Sequence, residues 1–137
     1  MFRTTLVFIF ATLPSLMASA DPQALIGKWA GACQNFDSNY VVPIMEFMPE
    51  GHVNNSTEFY ADAQCSGNPF ATEKNGPATY SATDKELVLT IGSSHVVLEL
   101  TANYEIVGDL MTLTPTALTV NGETRPTPAA SQTRRIP

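Results

Sequence analysis

Positive charge is scarce in this 137-residue chain: seven lysines and arginines stand against thirteen aspartates and glutamates, for a net charge of −6. The only adjacent basic pair is Arg134-Arg135, so neither nucleic acid nor an anionic membrane surface is a natural partner. Histidine occurs twice, at His52 and His95, and tryptophan once, at Trp29. No H-E-x-x-H, G-x-S-x-G, P-loop or dinucleotide fingerprint is present. A three-ligand metal site has to combine both histidines with a carboxylate, so the sequence implies no metal and no cofactor. Glu58 and Glu99 lie in alternating segments that turn them toward solvent, which leaves no acid and base converging on a common point. These absences point away from an enzyme.

Long apolar runs are also missing, with one exception at the start. Arg3 is followed by an apolar stretch over 6–13 and then by Ala18-Ser19-Ala20 ahead of Asp21. Basic n-region, short h-region and small-residue exit are the pattern of a cleaved signal peptide, here expected over 1–20. Without Arg3 the mature chain has six basic residues against thirteen acidic ones, a net charge of −7. No later run is long enough to hold the protein in a bilayer, so stable membrane insertion is not expected and a secreted or periplasmic location is. Cysteine is limited to Cys33 and Cys65, with no C-x-x-C pair. In an oxidising compartment the two are expected to form a disulfide closing a loop of about 30 residues, which the chain-entropy treatment values at ~3 to 4 kcal/mol.

What the mature chain does have is period-two alternation. No apolar stripe at i, i+3, i+4 lasts beyond about two turns, whereas Val96, Leu98, Leu100, Ala102, Tyr104 and Ile106 alternate with Val97, Glu99, Thr101, Asn103 and Glu105 along 94–107. Strands are also expected over 25–34, 40–48, 53–61, 78–83, 86–91, 110–114, 115–120 and 123–127, joined by turn-forming stretches. Asn121-Gly122 is the strongest hairpin signal among them. Eight or nine short strands joined in sequence predict an all-β, up-and-down antiparallel meander that closes into a small barrel, because closure removes exposed edges. The domain is expected over 21–127. Residues 128–137, with almost nothing apolar to bury, are expected to form a disordered tail.

Gly27-Lys28-Trp29 resembles the G-x-W motif that opens the first strand of lipocalins and the wider calycin group. The run Phe47-Met48-Pro49-Glu50-Gly51-His52, followed by two Tyr-to-Leu-Thr hairpins over 80–90 and 104–114, is similar to small bacterial lipocalin-like domains. The resemblance implies a closed barrel and a binding role. It also implies a basic residue near the end of the last strand, stacked across the motif tryptophan. By position that residue is Arg125, which with Gly27 and Trp29 makes the expected structural set. The chain departs from lipocalins proper in lacking a helix after the barrel.

Alternation turns Phe47, Asn55, Thr57, Phe59, Leu98 and Tyr104 inward, and these are the ligand-facing candidates. Two roles follow. The first is an exported, non-enzymatic lipocalin-like protein that binds a small apolar molecule among them. The alternative is a protein-interaction module, such as an inhibitor of a secreted hydrolase, that uses the irregular 62–77 loop braced at Cys65.

Overall fold

A computed structural model of the chain describes residues 21–137; the expected leader over 1–20 lies outside the described residues. The elements run in the order α1 (Pro22–Leu25), β1 (Gly27–Ala30), β2 (Gln34–Phe36), β3 (Asn39–Phe47), β4 (His52–Tyr60) and β5 (Ala71–Lys74). They continue with β6 (Ala78–Ala82), β7 (Glu86–Gly92), β8 (Val97–Val107), β9 (Leu110–Val120), β10 (Glu123–Arg125) and β11 (Ser131–Ile136).

Eight of these strands close on themselves. β1, β3, β4, β6, β7, β8, β9 and β11 pair in that order, every pair antiparallel, and β11 returns to β1. This is the up-and-down barrel that the alternation predicted. Asn121 and Gly122 both take positive φ, at 51° and 80°, as the turn between β9 and β10 requires.

The inward positions are filled. Trp29, Phe47, Leu87, Tyr104 and Met111 are essentially inaccessible, and Val53, Leu89, Ala102, Ile106 and Leu113 pack with them. Buried polar groups on these rings are satisfied: the Trp29 indole N–H donates to the Leu25 carbonyl at 2.8 Å, and the Tyr104 hydroxyl donates to the Thr83 carbonyl at 2.6 Å. Burial pushes the Tyr104 phenol above its ordinary range, helped by the negative charges of Asp21 and Asp84.

Residues 128–137 correct the sequence expectation. In place of a disordered tail, β11 pairs with β1 at Lys28, Trp29 and Ala30 and with β9 over 110–113. Its composition is poor in apolar residues because its contribution is backbone pairing: without it, β1 and β9 are both left with open edges. The inward-facing Thr133 and Arg135 need no apolar bulk where Trp29 already occupies the interior.

The motif partner is corrected with it. Arg125 is exposed and pairs with Glu123 at 3.2 Å, whereas the Arg135 guanidinium lies 4.3 Å from the centre of the Trp29 ring. Arg135 also donates to the Ile26 carbonyl at 2.8 Å and the Ala24 carbonyl at 2.5 Å, pinning α1 across that end of the barrel. Gly27 makes room for this. It holds φ at +127°, and a Cβ there would sit 2.8 Å from Arg135 Nη1. The glycine and tryptophan of the motif are thus two sides of one arginine slot.

Two smaller expectations also change. The strand expected over 25–34 is split, with Leu25 in α1 and a break over 31–33 between β1 and β2. Gly31 faces Pro43 so closely that a Cβ would lie 2.6 Å from the Pro43 ring, and the Gly31 N–H donates to the Pro43 carbonyl. Val96, expected inward, is exposed. The Ser93 hydroxyl accepts from the Val96 N–H in a tight turn, and the strand begins one residue later.

Candidate functional site

β3 and β4 are longer than the barrel needs, and their far halves carry the candidate site. Along one edge of β3, β1 pairs with 44–47 and β2 with 39–41. Along the far edge of β4, β6 pairs with 52–53 and β5 with 56–59. The result is a second, four-stranded layer, β2-β3-β4-β5, continuous with the barrel wall, which we call the fin. Its two flanking segments are tied together by the Cys33–Cys65 disulfide, with a Cα–Cα distance of 5.8 Å, as the sequence predicted.

The loop that leads from β4 to β5 is braced further. Asp62 accepts from the Ser66 hydroxyl at 2.5 Å and from the Ser66 N–H at 3.1 Å, and the first of these bonds holds its carboxyl below the usual range. Cys65 sits at φ +49°, a conformation a non-glycine residue adopts where the surroundings impose it. Past the loop, the Phe70 N–H donates to the Phe59 carbonyl and starts β5.

Period-two alternation gives the fin two different faces. The face continuous with the barrel interior carries Val41, Pro43, Thr57, Phe59 and Glu73, aligned by the cross-strand pairs Val41–Phe59 and Pro43–Thr57–Glu73. Gln34 and Phe36 of β2 extend it, and together these residues line a cavity of about 300 Å³. Phe36 is 58% exposed, and Phe70, whose ring centre is 6.3 Å from that of Phe59, is 60% exposed. These are the two most exposed large hydrophobics among the described residues.

The opposite face is polar. Lys28, Glu46, Asn54, Ser56, Glu58 and Lys74 look onto a groove of about 450 Å³ floored by Ile44 and Ile136. Its two ammonium groups and two carboxylates balance, and neighbouring groups serve one another: Asn54 donates to Glu46 at 3.1 Å, and the Tyr60 hydroxyl donates to Glu58 at 2.5 Å. That hydrogen bond, followed by burial and the Glu58 charge, pushes the Tyr60 phenol up to about 12. The groove is a self-neutralising outer surface.

The six ligand-facing candidates from the sequence are dispersed. Phe47 and Tyr104 are fully buried and belong to the core. Leu98 is partly buried near one barrel end, between Ile91 and Val120. Asn55 borders the outer groove, beside Asn75, whose N–H it accepts. Only Thr57 and Phe59 come together, in the fin cavity. Phe36, Phe70 and Glu73 were missed, because they lie in segments rich in turn formers. The available signal was the aromatic residue in each of those segments, which a plain surface loop does not need.

No family model, curated protein or solved structure matches this chain.

Proposed function

We propose that this protein is an exported, non-enzymatic interaction module that uses a calycin-type barrel as a rigid mount and engages a protein partner, such as a secreted hydrolase, through the apolar face of the fin. The observation that carries this reading is a contrast in burial. The barrel's inward aromatics, Trp29, Phe47 and Tyr104, are buried in the core, whereas Phe36, which lines the fin cavity, and Phe70, beside Phe59, are left open. Exposed aromatic clusters rimmed by polar groups mark contact surfaces, and aromatic residues carry a large share of binding energy at such surfaces. The disulfide and the Asp62–Ser66 bonds hold the loop ordered, so little ordering entropy remains to oppose association.

Kinship with the calycins is supported by the Arg135–Trp29 stack beside Gly27. Export is supported by the disulfide, which an oxidising compartment maintains, and by the leader pattern over 1–20. Among the described residues no helix is long and apolar enough to cross a membrane. A non-catalytic role is supported by the exposed positions of His52 at the start of β4 and His95 in the 93–96 turn.

The rival reading, a small apolar molecule inside the barrel, has less support, because Trp29, Phe47, Leu87, Tyr104 and Met111 are buried together in one core cluster at no more than 2% exposure. Crosslinking mass spectrometry in the export compartment tests the choice. The proposal expects a protein crosslinked at β2 or the 62–77 loop, and expects it lost in the Phe36→Ser/Phe70→Ser protein. A small molecule released from native protein on denaturation, with no crosslinked partner, overturns it.

A further inference from the structure

We infer that the fin cavity receives a cationic side chain, an arginine or lysine that projects from the partner's surface; this rests on the reading of the fin as a partner-binding face. Three observations converge on that chemistry. The first is charge. Among the residues lining the cavity Glu73 is the only charged one, and among the described residues no ion pair engages it. Its neighbour Lys74 is turned by strand alternation to the opposite face, where it lines the outer groove. A carboxylate held at an apolar concavity with no cation of its own chain is complementary to an incoming one.

The second is the aromatic lining. Phe36 and Phe59 both border the cavity, and Phe70 adds a third ring beside Phe59. Ring faces attract guanidinium and ammonium groups, while the aliphatic stem of either side chain packs on apolar walls. Here those walls are Val41 and Pro43. The third is the setting. The protein is acidic overall, at a net charge of −6 for the full chain and −7 without the expected leader, and Asp37 follows Phe36 directly at the turn into β3. A basic partner surface is therefore drawn toward the fin before contact.

Charge also separates the two faces. The outer groove has both signs in equal number and selects for neither. The inner cavity has one sign alone.

The test is a titration of the ¹⁵N-labelled protein, followed by NMR, with Nα-acetyl-arginine methylamide and with its neutral isostere, Nα-acetyl-citrulline methylamide. The arginine probe is expected to shift amides of β2, the 57–59 segment of β4 and β5 saturably in the millimolar range, with the citrulline probe roughly fivefold weaker or more. Glu73→Gln is expected to weaken the arginine probe by roughly the same factor without moving the thermal midpoint, and Lys74→Gln to leave it unchanged. Equal shifts from the two probes, no saturable shift from either up to about 50 mM, or an unaffected Glu73→Gln protein each overturn the inference. So does tighter binding of tetramethylammonium, which would assign the cavity to a free cation. The two readings fail separately. A crosslinked partner lost in Phe36→Ser/Phe70→Ser and retained at full affinity by Glu73→Gln sinks the cationic side chain and leaves the interaction module standing, whereas absence of any partner sinks the module itself.

Discussion

β3 and β4 each pass through two environments, and their one continuous face shows what separates a core from a contact surface. Phe47 and Val53 lie opposite one another at the barrel end of the two strands; Val41 and Phe59 do so at the fin end. All four point to the same side. Phe47 and Val53 are buried because the sheet has closed and the far wall supplies Leu87, Leu89 and Met111. At the fin end Val41 is buried and Phe59 half-buried against neighbouring strands alone, and Phe36 and Phe70 stay exposed. Alternation decides which side a residue faces; curvature of the sheet decides whether anything is there to meet it.

The largest effect is expected from emptying the closed side. Trp29→Ala removes the largest fully buried ring, its hydrogen bond to Leu25 and the platform under Arg135. The expected cost is about 3–5 kcal/mol, read as a lowered urea midpoint at unchanged slope. An effect below about 1 kcal/mol would show that the barrel interior is loose enough to collapse around the loss, and the contrast with the fin would lose its basis.

Breaking the disulfide acts on the other region. Cys33 and Cys65 are 32 residues apart in sequence, and Cys33→Ser/Cys65→Ser is expected to cost about 3 kcal/mol or somewhat more on the chain-entropy treatment. The location of the effect is as informative as its size. Hydrogen exchange should quicken over 62–70 and along β2 and β5, while β7, β8 and β9 keep their relative protection. Uniform loosening of the whole barrel would mean that fin and barrel unfold as one unit.

Most of the barrel was legible from alternation and turn chemistry, and the fin and the closing strand were not. The hairpins built on Leu87, Leu89, Tyr104, Met111 and Leu113 bury one face each, so period two is written plainly in their residue types. β11 closes the barrel by pairing two open edges, a demand set by the rest of the sheet and invisible in Ser131–Ile136 alone. The stacking position falls on Arg125 in the sequence and on Arg135 in the structure for the same reason, since locating the last strand fixes the arginine. In the candidate site, Thr57 and Phe59 were found because β4 alternates. Phe36, Phe70 and Glu73 were not, because β2 and β5 are only three and four residues long and exposed throughout.

Tyr60 offers a gentler probe, at the fin end of β4 on the polar face. Its folded-state value of about 12 lies above the ordinary 10, so the protonated phenol is favoured in the folded protein. The stabilisation is fully present below pH 10 and is lost as pH rises from 10 toward 12. Tyr60→Phe removes that contribution, along with the bond to Glu58. The stability difference between wild type and Tyr60→Phe is therefore expected to shrink across pH 10 to 12. Tyr80 and Tyr104, also raised by burial, are common to both proteins and cancel in the difference. A gap that stays constant to pH 12 would mean that the Glu58 bond does not hold the Tyr60 proton.

The smallest effect on folding is expected where the largest effect on function is proposed. Phe36 is 58% exposed at the fin's outer edge, so replacing it by serine removes little area from a packed contact. The stability change should stay within about 0.5 kcal/mol, the usual range for a surface site. Affinity for a partner that seats on the fin should nevertheless fall by about tenfold or more, since truncating an aromatic anchor commonly costs over 1 kcal/mol of binding. The two measurements are taken on one protein, because a core aromatic and a contact aromatic differ in their ratio. A core aromatic loses stability first and binding only as a consequence, in proportion to the unfolded fraction. An aromatic kept on the surface for contact loses binding with the fold intact. If Phe36→Ser instead lowers the urea midpoint as Trp29→Ala does, the fin's open face is part of the core after all, and the distinction drawn along β3 and β4 disappears.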